Sequence, residues 1–269
     1  MQKIVAVLND FDQANLILAR AITLANEQNA ALEILFVHEA PLFTMPDLFL
    51  SSEEHADQGV DKEKIRKEID ERVAKLAYEK AYAVFVFVDD TADRVSAHAR
   101  DQDGTLIVSA YHKHVTEGLI AICHLPLLIL KNDRQKNSNI ALPIELSESA
   151  RSCIDFSKKL FGESNIRLLY DHHYLVDEET KKAQKAAFEL LKTETRLEGD
   201  YIEEFAWNEA DFGEDYETIE KHLINFIQKG HFDLTILCTH KNDLLSNEAL
   251  ILSLLRGLST DFLVYRHLA

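Results

Sequence analysis

Two short strings hold the residue types a chemical site would use, and they are copies of one another. Thr105-Leu106-Ile107-Val108-Ser109-Ala110-Tyr111-His112-Lys113 has its counterpart in Asp233-Leu234-Thr235-Ile236-Leu237-Cys238-Thr239-His240-Lys241. Each is a β-branched apolar run ending in a small residue and then a His-Lys pair. A lysine in such a place can offer charge to a phosphate, and a histidine can ligate a metal. The metal reading is weak. His112, His114, Cys123 and His124 lie within one short segment, but His-x-His and Cys-His are not zinc spacings, and the default is packed or surface histidines. Asp171-His172-His173 follows a strand pattern at the end where α/β sheets bind ligands, and reads as a polar loop. No nucleophile–base spacing points to a serine, cysteine or carboxylate hydrolase. Neither Gly-x4-Gly-Lys-Ser/Thr nor Gly-x-Gly-x-x-Gly occurs, and the chain holds only 8 glycines.

Carboxylates offer a second constellation. Asn9-Asp10 and Glu145 end the first strands of the two halves, where the bland reading is a cap and first-turn charge for the next helix. Asp10 with Asp89-Asp90 suggests a receiver-type phosphoacceptor pocket. That reading needs a lysine after the fifth strand, and Lys131 lies within it instead.

These residues must be positioned by a repeated set of elements. Strand patterns at Lys3–Leu8, Leu32–His38, Ala83–Val88, Thr105–Ala110 and Leu127–Leu130 alternate with helical patterns at Ala14–Asn26, Asp61–Tyr78 and Thr91–Arg100. The order recurs in the second half. Strands at Asn139–Ile144, Ile166–Tyr170, Tyr201–Phe205, Leu234–Cys238 and Asp261–Arg266 alternate with helices at Ala150–Phe161, Glu178–Leu191 and Tyr216–Lys229. Continuous apolar strands imply burial on both faces, and strand–helix alternation implies a parallel sheet of about five strands per half. The apolar-free string 132–139 reads as the linker between domains 1–136 and 137–269. Residues 39–59 form a long loop with apolar Leu42, Phe43, Met45, Leu48, Phe49 and Leu50. It is either a lid or partner surface, or a loop folded onto its own domain.

Composition narrows the classes. The halves carry net charges of −8 (14 basic against 22 acidic residues) and −9 (15 against 24), within a total of −17. That balance suits a duplication and disfavours nucleic acid as a partner. Cys123, Cys153 and Cys238 show no paired spacing and read as reduced, buried thiols of a cytoplasmic protein. The chain opens on a strand pattern, so no signal peptide is expected. The longest apolar stretch, Leu119–Leu130, is too short to span a bilayer.

The βαβαβαβαβ order, the turn Glu145-Leu146-Ser147-Glu148-Ser149-Ala150 and the string Cys238-Thr239-His240 resemble the universal stress protein family. The corresponding family strings are Asp-Gly-Ser-Glu-Ser-Ala and Gly-Thr-His-Gly. The runs at Pro126 and Asp261 resemble its Pro-Val-Leu-Val-Val-Arg ending. The resemblance implies two tandem Rossmann-like domains of the HUP type. It places a remnant of a nucleotide pocket at Asn9, Asp10, His38, Ala110, His112, Lys113, Glu145, Cys238, His240 and Lys241. Nucleotide-binding members carry Gly-x2-Gly-x9-Gly-Ser/Thr after the fourth strand, where glycine lets backbone amides approach phosphate. Counted from the residue after each His, those positions hold Lys113, Thr116, Pro126 and Leu127, then Lys241, Leu244, Leu254 and Leu255. The resemblance therefore implies a non-catalytic stress-response or regulatory protein with no cofactor, located in the cytoplasm. The alternative is an ATP- or AMP-binding switch, or a nucleotide-dependent enzyme, with a non-standard loop. An unidentified protein partner is expected, as is an internal pseudo-dimer through strands 127–131 and 262–266, with a homodimer as the other assembly.

Overall fold

A computed structural model describes residues 2–39, 60–99, 105–134, 136–147, 149–171, 177–202, 215–239 and 247–266. The chain divides into two compact units, Met1–Gln135 and Lys136–Ala269.

The first unit runs β1 (Lys3–Leu8), α1 (Ala14–Glu27), β2 (Ala31–Glu39), α2 (Lys62–Lys75), β3 (Tyr82–Asp89), α3 (Thr91–Ala99), β4 (Thr105–Ala110), α4 (Lys113–Ile122) and β5 (Leu127–Leu130). Its strands lie in the order β3-β2-β1-β4-β5, and each pairs with its neighbour in parallel. The central strands β1, β4 and β5 are buried along almost their whole length. The outermost strand of this unit, β3, has only Val86 fully buried. Apolar runs need helices on both faces, and α1 supplies one cover through Ala14, Ile17, Leu18, Ala21, Leu24 and Ala25, at helical spacing. The charged helix α2 buries only Ile69 and Val73, one turn apart. Its start is fixed by Asp61, whose carboxylate accepts from the Lys64 amide at 2.9 Å. On its exposed side Glu68 pairs with Arg72 at i,i+4 and Glu63 with Arg66 at i,i+3, each at 2.8 Å.

The second unit repeats the order: β6 (Asn139–Pro143), α5 (Ser149–Phe161), β7 (Asn165–Asp171), α6 (Glu178–Thr195), β8 (Glu198–Ile202), α7 (Asp215–Lys229), β9 (Leu234–Thr239), α8 (Glu248–Gly257) and β10 (Asp261–Arg266). Its strand order is β10-β9-β6-β7-β8, the same arrangement as in the first unit. The fold is therefore α/β throughout and Rossmann-like, each unit carrying five parallel strands flanked by helices.

Three expectations change. The polar string 132–139 is not all linker, because its last residues are built into the second unit. The Ser138 and Asn139 amides donate to the Asp233 carboxylate at 2.9 and 3.0 Å, and Asn137 is buried. The strand expected at 201–205 begins at Glu198, because Arg196 in the left-handed region (φ 55°) ends α6 and turns the chain straight into β8. Residues 203–205 lie outside the described residues. Finally, Cys153 and Cys238 are joined in a disulfide with Cα atoms 5.9 Å apart, and Cys123 stays a buried thiol outside any disulfide. Their separation of 85 positions gave no local spacing to read. The long loop within 39–59 is described only at Glu39.

Candidate functional site

In a doubly wound sheet the ligand crevice opens beyond the carboxyl ends of the strands, where the strand order reverses. In the first unit that point lies between β1 and β4. The adjacent strands β2, β1 and β4 bring His38, Asn9, Asp10, Ala110, His112 and Lys113 to one edge. Asn9 is half-buried, Ala110 is buried, and His38, Asp10, His112 and Lys113 are exposed.

The polar groups at this edge bind one another. The Asn9 amide nitrogen donates to Val37 O at 3.3 Å and to the Thr91 hydroxyl at 2.5 Å. Thr91, fully buried at the start of α3, donates its hydroxyl in turn to the Glu39 carboxylate, which also accepts from the Thr91 amide at 3.3 Å. Asn9, Thr91 and Glu39 thus form a continuous chain over the ends of β1 and β2. Asp90 caps α3, accepting from the Asp93 amide at 2.9 Å. Asp89 takes the Arg94 guanidinium at 2.8 Å, and Arg94 lies 4.6 Å over the Phe87 ring. Asp10 accepts from the Asp12 amide at 2.9 Å and closes the turn before α1 instead of capping the helix. Glu39, Thr91, Asp89 and Arg94 escaped the sequence reading as a cluster. Their only sequence signal is Asp-Asp-Thr opening a helix, and Glu39 is 52 positions from its partner.

This topology also removes the phosphoacceptor reading. A receiver needs the first and third strands side by side, but β2 stands between β1 and β3. At about 4.8 Å per strand, Asp10 and Asp89 start roughly 10 Å apart.

The position of the family's glycine loop is occupied by a helix. After β4 only Tyr111 and His112 intervene before α4. The His112 amide donates to the Thr116 hydroxyl at 3.0 Å, and the Thr116 amide to His112 O at 2.8 Å. Thr116 is therefore a buried residue of the first helical turns, not a loop residue. Tyr111 is held by its amide to Leu130 O at 2.8 Å, with the Lys131 ammonium 5.0 Å over its ring. The ten-residue α4 places His112 and His114 at one end and Cys123 and His124 at the other. A rise of 1.5 Å per residue separates the ends by about 15 Å, so the four cannot share an ion.

In the second unit the switch point lies between β6 and β9. Half-buried Glu145 follows β6, and Cys238 is the fifth residue of β9. His240, Lys241, Leu244 and residues 172–173 lie outside the described residues. Leu254 and Leu255, which counting placed in a phosphate loop, are fully buried near the end of α8. Counting missed this because eight residues separate β9 from α8, against two between β4 and α4. Asn247 starts α8, accepting from the Ala249 amide at 2.9 Å.

Among the described residues, burial pushes the hydroxyl of Tyr265, which lies on β10 in register with Cys238, above its ordinary pKa. Glu33 sits inside the first sheet; burial opposes its charge, but the Lys3 ammonium at 2.6 Å and the His98 ring at 2.8 Å outweigh burial and hold its carboxyl below 4.5. Burial first, then the Asp70 carboxylate 2.8 Å away, pushes the Tyr82 hydroxyl up to about 12.

Residues 1–130 match the model of the universal stress protein family. A universal stress protein of Archaeoglobus fulgidus DSM 4304 is similar in structure, with a TM-score of 0.70 at 11% identity, covering 98% of this chain and 96% of its own. A Pseudomonas aeruginosa UCBPP-PA14 protein assigned to the universal stress proteins gives 0.68 at 14% identity, with 99% and 93% covered. A functionally unknown protein of Pseudomonas aeruginosa PAO1 gives 0.65 at 14% identity, with 99% and 92% covered. A search among curated protein sequences returns no match.

Proposed function

From the family match of residues 1–130, we propose that this chain is a tandem universal stress protein acting as a non-catalytic stress-response regulator, and that it does not bind ATP. The observation that carries this reading is the hydrogen-bond chain Asn9–Thr91–Glu39 over the ends of β1 and β2, on one side of the switch point of the first unit. It occupies the groups that a base or ribose would need. Around it stand the carboxylates of Asp10, Glu39, Asp89 and Asp90, each already accepting from the protein's own donors. A triphosphate brought there meets the negative charge of these carboxylates, against which Arg94 is committed to Asp89. Lys113 supplies one exposed ammonium. A charged hydrogen bond contributes about 1.5–3 kcal/mol, whereas micromolar binding requires roughly 8 kcal/mol. The helix start at Lys113 leaves no glycine loop to make up the difference.

Isothermal titration of magnesium-ATP into the purified full chain tests this. No saturable heat is expected. Saturation at tens of micromolar or tighter would establish the nucleotide-switch alternative instead. The proposed cytoplasmic location is tested separately, by fractionating cells that express the tagged chain.

A further inference from the structure

We propose that Cys153 and Cys238 are a reversible thiol–disulfide site, a redox clasp across the switch point of the second unit. The inference stands on the geometry of the pair and holds whether or not the chain binds nucleotide. Cys153 lies in the second turn of α5, the helix that follows β6, and Cys238 lies near the carboxyl end of β9. Strands β6 and β9 are neighbours, so the bond joins the two walls of the crevice. The Cα separation of 5.9 Å lies in the ordinary range for disulfides.

Contacts beside the bond hold its two ends together independently of it. Phe156, one turn beyond Cys153 on α5, stacks on Tyr265 with ring centroids 4.1 Å apart and planes 16° from parallel. Tyr265 is the β10 residue in register with Cys238. Breaking the sulfur–sulfur bond therefore leaves the helix docked and the two thiols near each other, which favours their re-oxidation over reaction with another molecule. The two sulfurs also differ in access. Cys153 is fully buried, whereas Cys238 is only partly covered. Cys238 is the sulfur an outside reagent meets, and Cys153 is placed to resolve the product. Cys123, buried at the end of α4, has no disulfide partner.

The chemistry is exchange with a low-molecular-weight disulfide. The Cys238 thiolate attacks one sulfur of the reagent, forming a mixed disulfide and expelling one thiolate. The Cys153 thiolate then attacks Cys238 Sγ and expels the second. One sulfur–sulfur bond breaks and one forms; the two cysteines lose two electrons, the reagent gains two, and the two protons leave with the released thiols.

The test equilibrates the native full chain in buffers spanning all reduced to all oxidised glutathione, followed by acid quench, alkylation and peptide mass spectrometry. The expected result is a Cys153–Cys238 link that is complete at the oxidising end and absent at the reducing end, with Cys123 alkylated throughout. Amide exchange in 149–157 should be about tenfold slower in the linked form. C123S should behave as the wild type, and C238S should lose all response to oxidant. A link that survives excess reduced glutathione in the native chain would make it a permanent staple and overturn the proposal. So would a link that never forms, a link involving Cys123, or identical exchange of 149–157 in both forms. The wild-type measurements decide the matter even where a variant fails to fold.

Discussion

Thr91 is the residue on which the edge of the first unit turns. It is fully buried, and its single hydroxyl both accepts from Asn9 and donates to Glu39. Thr91→Val keeps the shape and removes that link, leaving the Asn9 amide with Val37 O and the Glu39 carboxylate with the Thr91 amide as their remaining partners. The expected cost is about 1–3 kcal/mol in urea unfolding, and Thr91→Ser should recover most of it. Equal stability of the valine variant would show that the chain of hydrogen bonds is replaceable by water. Glu33 contributes to the acid behaviour. Its folded carboxyl lies below the ordinary value of 4.5, so its contribution is fully present above 4.5 and is lost as pH falls through the lower folded value. Glu33→Gln should lower stability at pH 7 and flatten the decline below 4.5. An unchanged slope in circular-dichroism titrations of wild type and variant would refute this.

Among the elements, β8 shows how a neighbour sets a strand that its own residues do not announce. Glu198-Gly199-Asp200 is poor strand sequence, yet it pairs with Arg167-Leu168-Leu169 in full register. Gly199 permits the approach: a Cβ there would sit 2.9 Å from the Leu168 carbonyl oxygen and 2.9 Å from the Phe188 ring. The ion pair between Arg167 and Asp200 fastens the same two strands. Gly199→Ala should therefore destabilise the second unit by about 1–3 kcal/mol through overpacking, seen as a lower thermal midpoint. A neutral or stabilising effect would mean that β7 and β8 can separate without loss.

For the whole molecule, both units repeat one element order and strand order, and each buries its own apolar set. No helix among the described residues is long and apolar enough to cross a membrane. The proposal of an internal pseudo-dimer rests on the apolar last strands, Leu127–Leu130 and Asp261–Arg266. Residues 1–135 and 136–269 produced separately should aggregate or re-associate, as read by sedimentation velocity of each half and of the mixture. Two stable, soluble monomers without mutual affinity would refute it.

The sequence by itself determined the repeat, the alternation of strands with helices and the approximate extent of most elements. Those features are written in local periodicity, such as the unbroken apolar run of β4 or the Ala14–Ala25 face of α1. It also indicated that no glycine loop follows β4, because the count of residues before β5 leaves no room for one. Tertiary structure decided what periodicity cannot encode. Which strand is outermost, and hence that β2 parts Asp10 from Asp89, is a matter of strand order. The partners of Asn9 and Glu39 lie 82 and 52 positions away, and the partner of Cys153 lies 85 away. Such contacts arise only when packed helices and paired strands bring distant residues within a few ångströms, and no local pattern of residues announces them.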